Sequence, residues 1–382
     1  MPVTWELDDI HVEFQATCRA VVDDKVRPLV EEAEATGAPP RALLSELGRA
    51  GLLGLSIPED HGGSGGDALA VALLAEELAR ASGGLAVTAL VSGYMAAPHI
   101  SRFGTDAQQA RYLPSLAAGS AIASIAVTEP DTGSDVASVS TVARPVDGGW
   151  ELRGAKTYIT NAGIADVLIV AARTSEGNAH RGITTFLVDG GTQGLSFGPP
   201  LVKMGWHASD TREVVLDGVA VGPDAVLGTV DRGFYQIMEA FQLERVTLAA
   251  MGLGHGAECL DLARDHVKNR TAFGEPLANL QTVRHRLAIM EIDLAAARLV
   301  TYQAAARLDA GHPDAARSVA RAKYHAALAA DRIVDSAVQL FGGSGFVEET
   351  TVARHYRDAR ILRIGGGADE IQLEILSREL KP

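Results

Sequence analysis

The sequence predicts a multidomain chain of α and β parts. An N-terminal all-α domain covers residues 1–119, a middle antiparallel β-barrel or sandwich covers 120–230, and a C-terminal four-helix bundle covers 231–382. Three observations predict it. A length of 382 residues exceeds one ordinary hydrophobic core, so two or three domains are expected. Apolar residues recur at helical spacing at both ends of the chain, whereas short β-branched runs fill its middle. Only 5% of residues are aromatic while Ala and Leu abound, which suits closely packed helices.

In chain order, the stretch from Asp8 to about Gly119 reads as helical. One helix carries Leu43, Leu44, Leu47 and Leu52 near helical spacing, and another runs from Asp67 to Arg80 and stops at Gly83-Gly84. Between them, Ile57 to Gly65 is loop chemistry, with Pro58 and glycines turning the chain; His61 there reads as a surface loop residue. In the middle, Trp150–Arg153, Val167–Val170, Thr184–Val188 and Val214–Val221 are strand-like runs parted by turns such as Asp147-Gly148-Gly149. From Gly233 onward the chain is helical again, broken near Gly274, Gly311-His312-Pro313 and Gly342–Gly345. Gly252-Leu253-Gly254-His255-Gly256 lies inside a helical pattern and follows no strand, so a Rossmann dinucleotide site is unsupported.

Composition narrows the function classes. A formal net charge of −14 argues against nucleic-acid binding, which needs clustered Lys and Arg. Cys18 and Cys259 cannot form a disulfide framework and have no zinc spacing; both read as apolar fillers. Met1–Ile10 lacks a charged-then-apolar signal pattern and no segment approaches a membrane-spanning run, so a cytoplasmic location with no membrane partner is the expectation.

The first chemical signal is Ala126-Val127-Thr128-Glu129-Pro130-Asp131-Thr132-Gly133-Ser134-Asp135, where hydroxyl and backbone N–H donors crowd a tight turn. Alone it reads as a capped turn. It closely resembles, however, the acyl-CoA dehydrogenase signature of a Thr-Glu-Pro turn followed by Gly-Ser-Asp. Five further segments resemble that family in its order: Pro58–Gly63, Lys156–Asn161, Lys203–Trp206 with Ser209, Thr211 and Val214, Arg270–Gly274 with Gln281, and Gln339–Phe346. The matches cover essentially the whole chain.

The resemblance implies FAD as cofactor and roles position by position. Val127, Thr128, Gly133 and Ser134 would contact flavin or substrate, and Tyr158 and Thr160 would flank the isoalloxazine, Tyr158 standing where many members have Trp. Arg270, Phe273, Gln281, Gln339 and Gly343 would come from a neighbouring subunit to hold the adenine–pyrophosphate half, Arg270 through bidentate phosphate bonds. Ala368 and Glu370 complete the implied cofactor set. Outside this context Arg270 and Phe273 read as a helix-end loop. A homo-oligomer built as a dimer of dimers, and electron-transferring flavoprotein as acceptor, are likewise implied.

The base stands apart. Many members carry Tyr-Glu-Gly-Thr near the C-terminus, whereas this chain has Gly365-Gly366-Gly367-Ala368, with Gly366 at the Glu position. Upstream, Phe234, Ile237, Met238, Phe241 and Leu248 form a helical apolar stripe, and Glu244-Arg245 continue its face. An arbitrary helix with that pattern would present an ion pair at the stripe's edge. Here Gln242-Leu243-Glu244-Arg245 resembles the Glu-Arg of the isovaleryl-CoA and long-chain acyl-CoA dehydrogenase branches, which place the base on this helix. Gln242 replaces an Asp common in the family. The resemblance therefore implies α,β-dehydrogenation of an acyl thioester of CoA or a carrier protein to the trans-2-enoyl thioester. Glu244 would take the α-proton, Gly366 N–H would bind the thioester oxygen, a hydride would pass to flavin N5, and Ser134, Arg245 and Gly365 would contact substrate. The two glycines suggest branched or cyclic acyl groups. The alternatives are an oxygen-using flavin oxidase or N-hydroxylase of the same fold, and a non-catalytic acyl-thioester-binding paralogue.

Overall fold

The computed structural model describes residues 7–176 and 180–380, so most of the Met1–Ile10 stretch lies outside the described residues. Among the described residues, seven α-helices come first. Helix α1 (Asp9–Val21) starts where the Asp8 carboxylate accepts from the His11 N–H at 2.9 Å. It is followed by α2 (Val30–Thr36) and α3 (Ala42–Arg49), which buries Leu43, Leu44 and Leu47; Leu52 is also buried but lies beyond the helix. Helix α4 (Ala68–Ala81) is capped by Asp67, and α5 (Gly83–Leu90), α6 (Ala97–Phe103) and α7 (Asp106–Ala117) complete the set. Thr105 and Gln108 make a reciprocal capping box at α7.

The middle of the chain forms one twisted sheet from β1 (Ala123–Ala126), β2 (Val142–Val146), β3 (Gly149–Thr160), β4 (Val167–Arg173), β5 (Ile183–Asp189), β6 (Leu195–Phe197), β7 (Thr211–Val221) and β8 (Val226–Leu227). The order is β6-β7-β3-β2-β4-β5-β8, with β1 beside β4. Most neighbours are antiparallel, but β1 and β2 each pair with β4 in parallel, so the sheet is mixed. Side-chain alternation reports which face is buried and is silent on strand direction, which is why the parallel pairings were not foreseeable. Leu152, Leu168, Val170, Phe186, Val188, Val214 and Leu216 fill the sheet's own core.

The remaining helices are α8 (Gly233–Asn269), α9 (Gln281–Asp309), α10 (Ala315–Phe341), α11 (Thr351–Ala359) and α12 (Asp369–Glu379). A short hairpin of β9 (Thr271–Ala272) and β10 (Glu275–Pro276) joins α8 to α9. Helix α8 has 37 residues, so it spans about 55 Å. Its glycines serve packing: a Cβ on Gly254 would lie 2.2 Å from Glu76 O of α4. The N-terminal and C-terminal helices share one apolar core, with α4 packed on α8 and α9, α5 on α8, and α10 on α8 and α9. Within it Glu76 is fully buried, accepting from Arg298 Nε and Nη2 at 3.0 and 2.6 Å and from the Tyr302 hydroxyl at 2.6 Å.

What positions the site is the start of α8. Phe234, Ile237, Met238 and Phe241 pack onto Val127, Val139, Ala171 and Ile183 of the sheet domain. The stripe predicted from spacing thus seats the helix carrying Glu244 against the sheet domain at Val127, the residue before the Thr128-Glu129-Pro130 turn. Among the described residues no helix is long and apolar enough to cross a membrane.

Candidate active site

The turn after β1 is built around a buried carboxylate. Glu129 Oε1 accepts from Lys156 Nζ at 2.8 Å and from Thr141 N–H at 2.9 Å, and Oε2 accepts from the N–H and hydroxyl of Ser140, both at 2.6 Å. Burial opposes both charges. For Glu129 the Lys156 ammonium and the other donors overcome it and hold the carboxyl down at about 2. For Lys156 burial prevails over Glu129 and pushes the amine down to about 8. The donor count on Glu129 decides the matter in favour of the ion pair. Lys156 Nζ also donates to Val127 O at 3.0 Å, and Thr157 N–H donates to Thr128 O at 2.9 Å. The turn is therefore welded to β3, with Val127 buried and Gly133 and Ser134 exposed.

Two residues beyond Lys156, β3 bulges against β7, and Tyr158 takes φ +58°. Bulges re-aim side chains, and a non-glycine in this left-handed region is uncommon. The consequence is a tyrosine ring 70% exposed in mid-strand, beside a half-buried Thr160. A flat aromatic face held clear of the sheet, next to a turn of fixed backbone, fits the flavin expected there.

Glu244 and Gly366 meet. A Cβ built on Gly366 would lie 3.5 Å from Glu244 Oε1, although 122 positions separate the two residues in the chain. The Glu244 side chain is partly buried, its carboxylate desolvated between α8 and the glycine turn while part of the residue still reaches the surface. Burial raises its proton affinity most, Arg245 and then Lys323 pull it back, and the balance is about 7. Arg245 is buried, its own affinity lowered by burial, and it donates from Nε to Gly366 O at 3.1 Å rather than pairing with Glu244. Gly366 and Gly367 have φ +64° and +92°, and the Gly366 N–H donates to no acceptor among the described residues. The open volume expected at both glycines is unevenly spread. A Cβ on Gly366 would meet Leu248 Cδ1 at 2.4 Å, whereas one on Gly365 would find nothing nearer than Ile361 O at 3.6 Å. Ala368 caps α12 from just beyond this turn, and Glu370 is exposed in its first turn.

The other predicted residues sit elsewhere. Arg270 ends α8, Phe273 turns the β9–β10 hairpin at φ +55° with its ring 95% exposed, Gln281 begins α9, and Gln339 and Gly343 lie at the end of α10. All five are exposed. Arg270 follows Glu244 by 26 positions of one helix, about 39 Å along its axis.

Two features of the site had no sequence signal. Lys323 of α10 is 1% exposed and donates from Nζ to Gly367 O at 2.6 Å, and Gln372 of α12 bonds both Gly366 O and Gly367 O. A polar residue once per turn in an alanine-rich helix reads as surface until the packing is known.

Comparisons with known proteins bear on the family and the fold. Residues 8–120, 124–219 and 231–381 match, respectively, the N-terminal, middle and C-terminal domain families of acyl-CoA dehydrogenase. The 3-(aryl)acrylate reductase of Clostridium sporogenes is 34% identical over 370 residues, 97% of this chain and 98% of that protein. The structure of butyryl-CoA dehydrogenase from Megasphaera elsdenii superposes with a TM-score of 0.95 at 36% identity, covering 99% of this chain and 100% of that one. A structure described as the FAD complex of PigA superposes with a TM-score of 0.95 at 28% identity, covering 99% of both chains.

Proposed function

We propose that this chain, which belongs to the acyl-CoA dehydrogenase family, uses Glu244 as the base that removes the α-proton of an acyl thioester. Family membership makes it an FAD-dependent oxidoreductase acting on CH–CH groups. The bound FAD supplies the acceptor for the hydride that leaves Cβ. The chain's own residues do the rest. The single observation that carries the reading is a desolvated carboxylate with proton affinity near 7, placed beside a glycine turn whose N–H is free. A base with that affinity is matched to neutral pH, and the Gly366 N–H is suited to the oxygen on which negative charge grows as the α-proton departs. Arg245, bound to Gly366 O, braces the turn and tempers Glu244.

The room beside Gly365, with Leu248 closing the space at Gly366, supports an acyl group branched or cyclic near Cβ–Cγ. The thioester carrier is CoA or a carrier protein, and electron-transferring flavoprotein is the acceptor we favour. The separation of about 39 Å between Glu244 and Arg270 exceeds the reach of an extended dinucleotide. It supports a dimer in which a second copy contributes Arg270, Phe273, Gln281, Gln339 and Gly343 to the adenine half.

The test is anaerobic titration of the FAD-loaded protein with linear, branched and cyclic acyl-CoA thioesters while flavin absorbance is followed. Wild type bleaches and Glu244→Gln does not; unchanged bleaching in that variant removes Glu244 as the base. Preference for straight short chains over branched ones ends the specificity reading. The relative named for 3-(aryl)acrylate reduction favours a second reading, the same residues working in reverse, with protonated Glu244 delivering its proton to Cα. Reoxidation of the reduced protein by an enoyl thioester, faster than by air, distinguishes it.

A further inference from the structure

The turn Gly365–Gly367 has no side chains with which to hold itself, and two of its residues occupy the left-handed region. Its order has to come from outside. Gly366 O accepts from Arg245 Nε at 3.1 Å and Gln372 Nε2 at 3.3 Å, and Gly367 O accepts from Lys323 Nζ at 2.6 Å and Gln372 Nε2 at 2.9 Å. Helices α8, α10 and α12 thus each send one donor side chain to two adjacent carbonyls. Lys323 is the unusual member. It is 1% exposed, lies among the buried residues Ala320, Ala322, Ala326 and Ala327, and makes no ion pair within 4.0 Å among the described residues. An ammonium in such surroundings is costly unless something requires it, and a helix tie alone could be made by a neutral donor. The charged groups facing it are Asp369 of α12, Glu244 and Arg245 of α8, and Arg363 of the segment before the turn.

We propose that Lys323, together with Gln372, is a positioning residue for the reaction. It grips the glycine turn by its carbonyl so that the Gly366 N–H stays aimed at the thioester oxygen, and its positive charge keeps the Glu244 carboxylate ready to accept a proton. This rests on Glu244 being the base. A one-ångström drift of such a donor is enough to lower turnover by about 10²-fold.

The experiment uses the full-length FAD-loaded protein with the best substrate among butyryl-, isobutyryl-, isovaleryl- and cyclohexanecarbonyl-CoA. It compares Lys323→Met, Lys323→Gln, Lys323→Arg, Gln372→Leu and Glu244→Gln. In Lys323→Met, kcat falls about 10²-fold with little change in KM. The acid limb of the kcat–pH profile moves to higher pH, because a cation that favoured the carboxylate is gone. Lys323→Arg returns the limb to its wild-type position. A kcat loss with an unmoved limb, not rescued by Arg, marks a plain structural tie and overturns the proposal, as does wild-type turnover in Lys323→Met. If Lys323→Met does not fold, Lys323→Gln carries the test with the same two readouts: kcat falls and the limb moves to higher pH, whereas an unmoved limb or wild-type kcat overturns the proposal. Gln372→Leu is the neutral control, in which the limb stays in place. Glu244→Gln keeps the two ideas separable. Its inactivity beside a normal Lys323→Met sinks only the present inference, whereas its activity sinks the base assignment.

Discussion

Replacing Gly366 by alanine puts the geometry of the site to a quantitative test. The new methyl would stand 2.4 Å from Leu248 Cδ1, whereas carbon atoms rest at about 3.5–4.0 Å, so one or the other must shift by more than about 1 Å. Leu248 Cδ1 is the far end of a flexible side chain, so a rotamer shift can relieve most of the contact, at a cost of up to about 1 kcal/mol. The backbone adds to it, since φ is +64° and a side chain in the left-handed region costs roughly 1–2 kcal/mol. Gly366→Ala should therefore lose about 1–3 kcal/mol of stability. The double variant with Leu248→Ala should recover part of that, with a coupling energy of about 0.5–3 kcal/mol. The assay is urea or thermal unfolding of the four proteins of the cycle, with kcat measured in parallel. Additive effects, or a Gly366→Ala protein as stable as wild type, would refute the contact with Leu248. The same clash predicts that Gly366→Glu does not restore turnover to Glu244→Gln until Leu248 is also shortened.

Other expectations follow from the same structure. If Glu244 is the base, as proposed, turnover should fall as pH drops through about 7, where its carboxylate takes up a proton; a flat kcat–pH profile from 6 to 9 contradicts this. Glu244→Gln should reduce kcat by about 10²–10⁴-fold, measured by stopped-flow flavin reduction. Lys156→Met leaves Glu129 buried without its cation and should destabilise by about 3–5 kcal/mol in urea titration. The carboxyl of Glu129 is held down at about 2, below its unfolded value of 4.5. Its contribution is therefore present above pH 4.5 and disappears as pH falls toward 2, and in Lys156→Met that loss should begin at higher pH. Tyr158→Ala should weaken FAD binding by about 0.5–1.5 kcal/mol, read by fluorescence titration, and leave the melting temperature of the apoprotein nearly unchanged, since the ring is 70% exposed.

Much of this arrangement was legible before any coordinates. The helix–sheet–helix order follows from the change of apolar period, and the stripe Phe234, Ile237, Met238, Phe241 identified the face that α8 lays on the sheet domain. Glu244 stood out because a charge continues that stripe. What escaped were facts of long range. Lys156 and Glu129 each looked like motif residues, and nothing in a list of residues announces that a lysine 27 positions on will neutralise a buried glutamate. Lys323 carried no sequence signal, and only the packing of α10 between α8 and α12 brings it to the glycine turn. Leu248 was read as one more core leucine, while its reach over Gly366 changes where a bulky acyl group has space.

The meeting of Glu244 with Gly366 has a wider consequence. A carboxylate planted at either address, on the long helix or on the C-terminal turn, would deliver its oxygens to nearly the same few cubic ångströms, for the missing Cβ lies 3.5 Å from Glu244 Oε1. If Glu244 is the base, as proposed, the chemistry is tied to a location in space, and the polypeptide has a second route to it that opens once Leu248 gives way. On that reading a proton acceptor could change its place in the sequence through one paired change, a carboxylate at one address and a shortened neighbour at the other, while the vacated site is free to reshape the walls of the pocket.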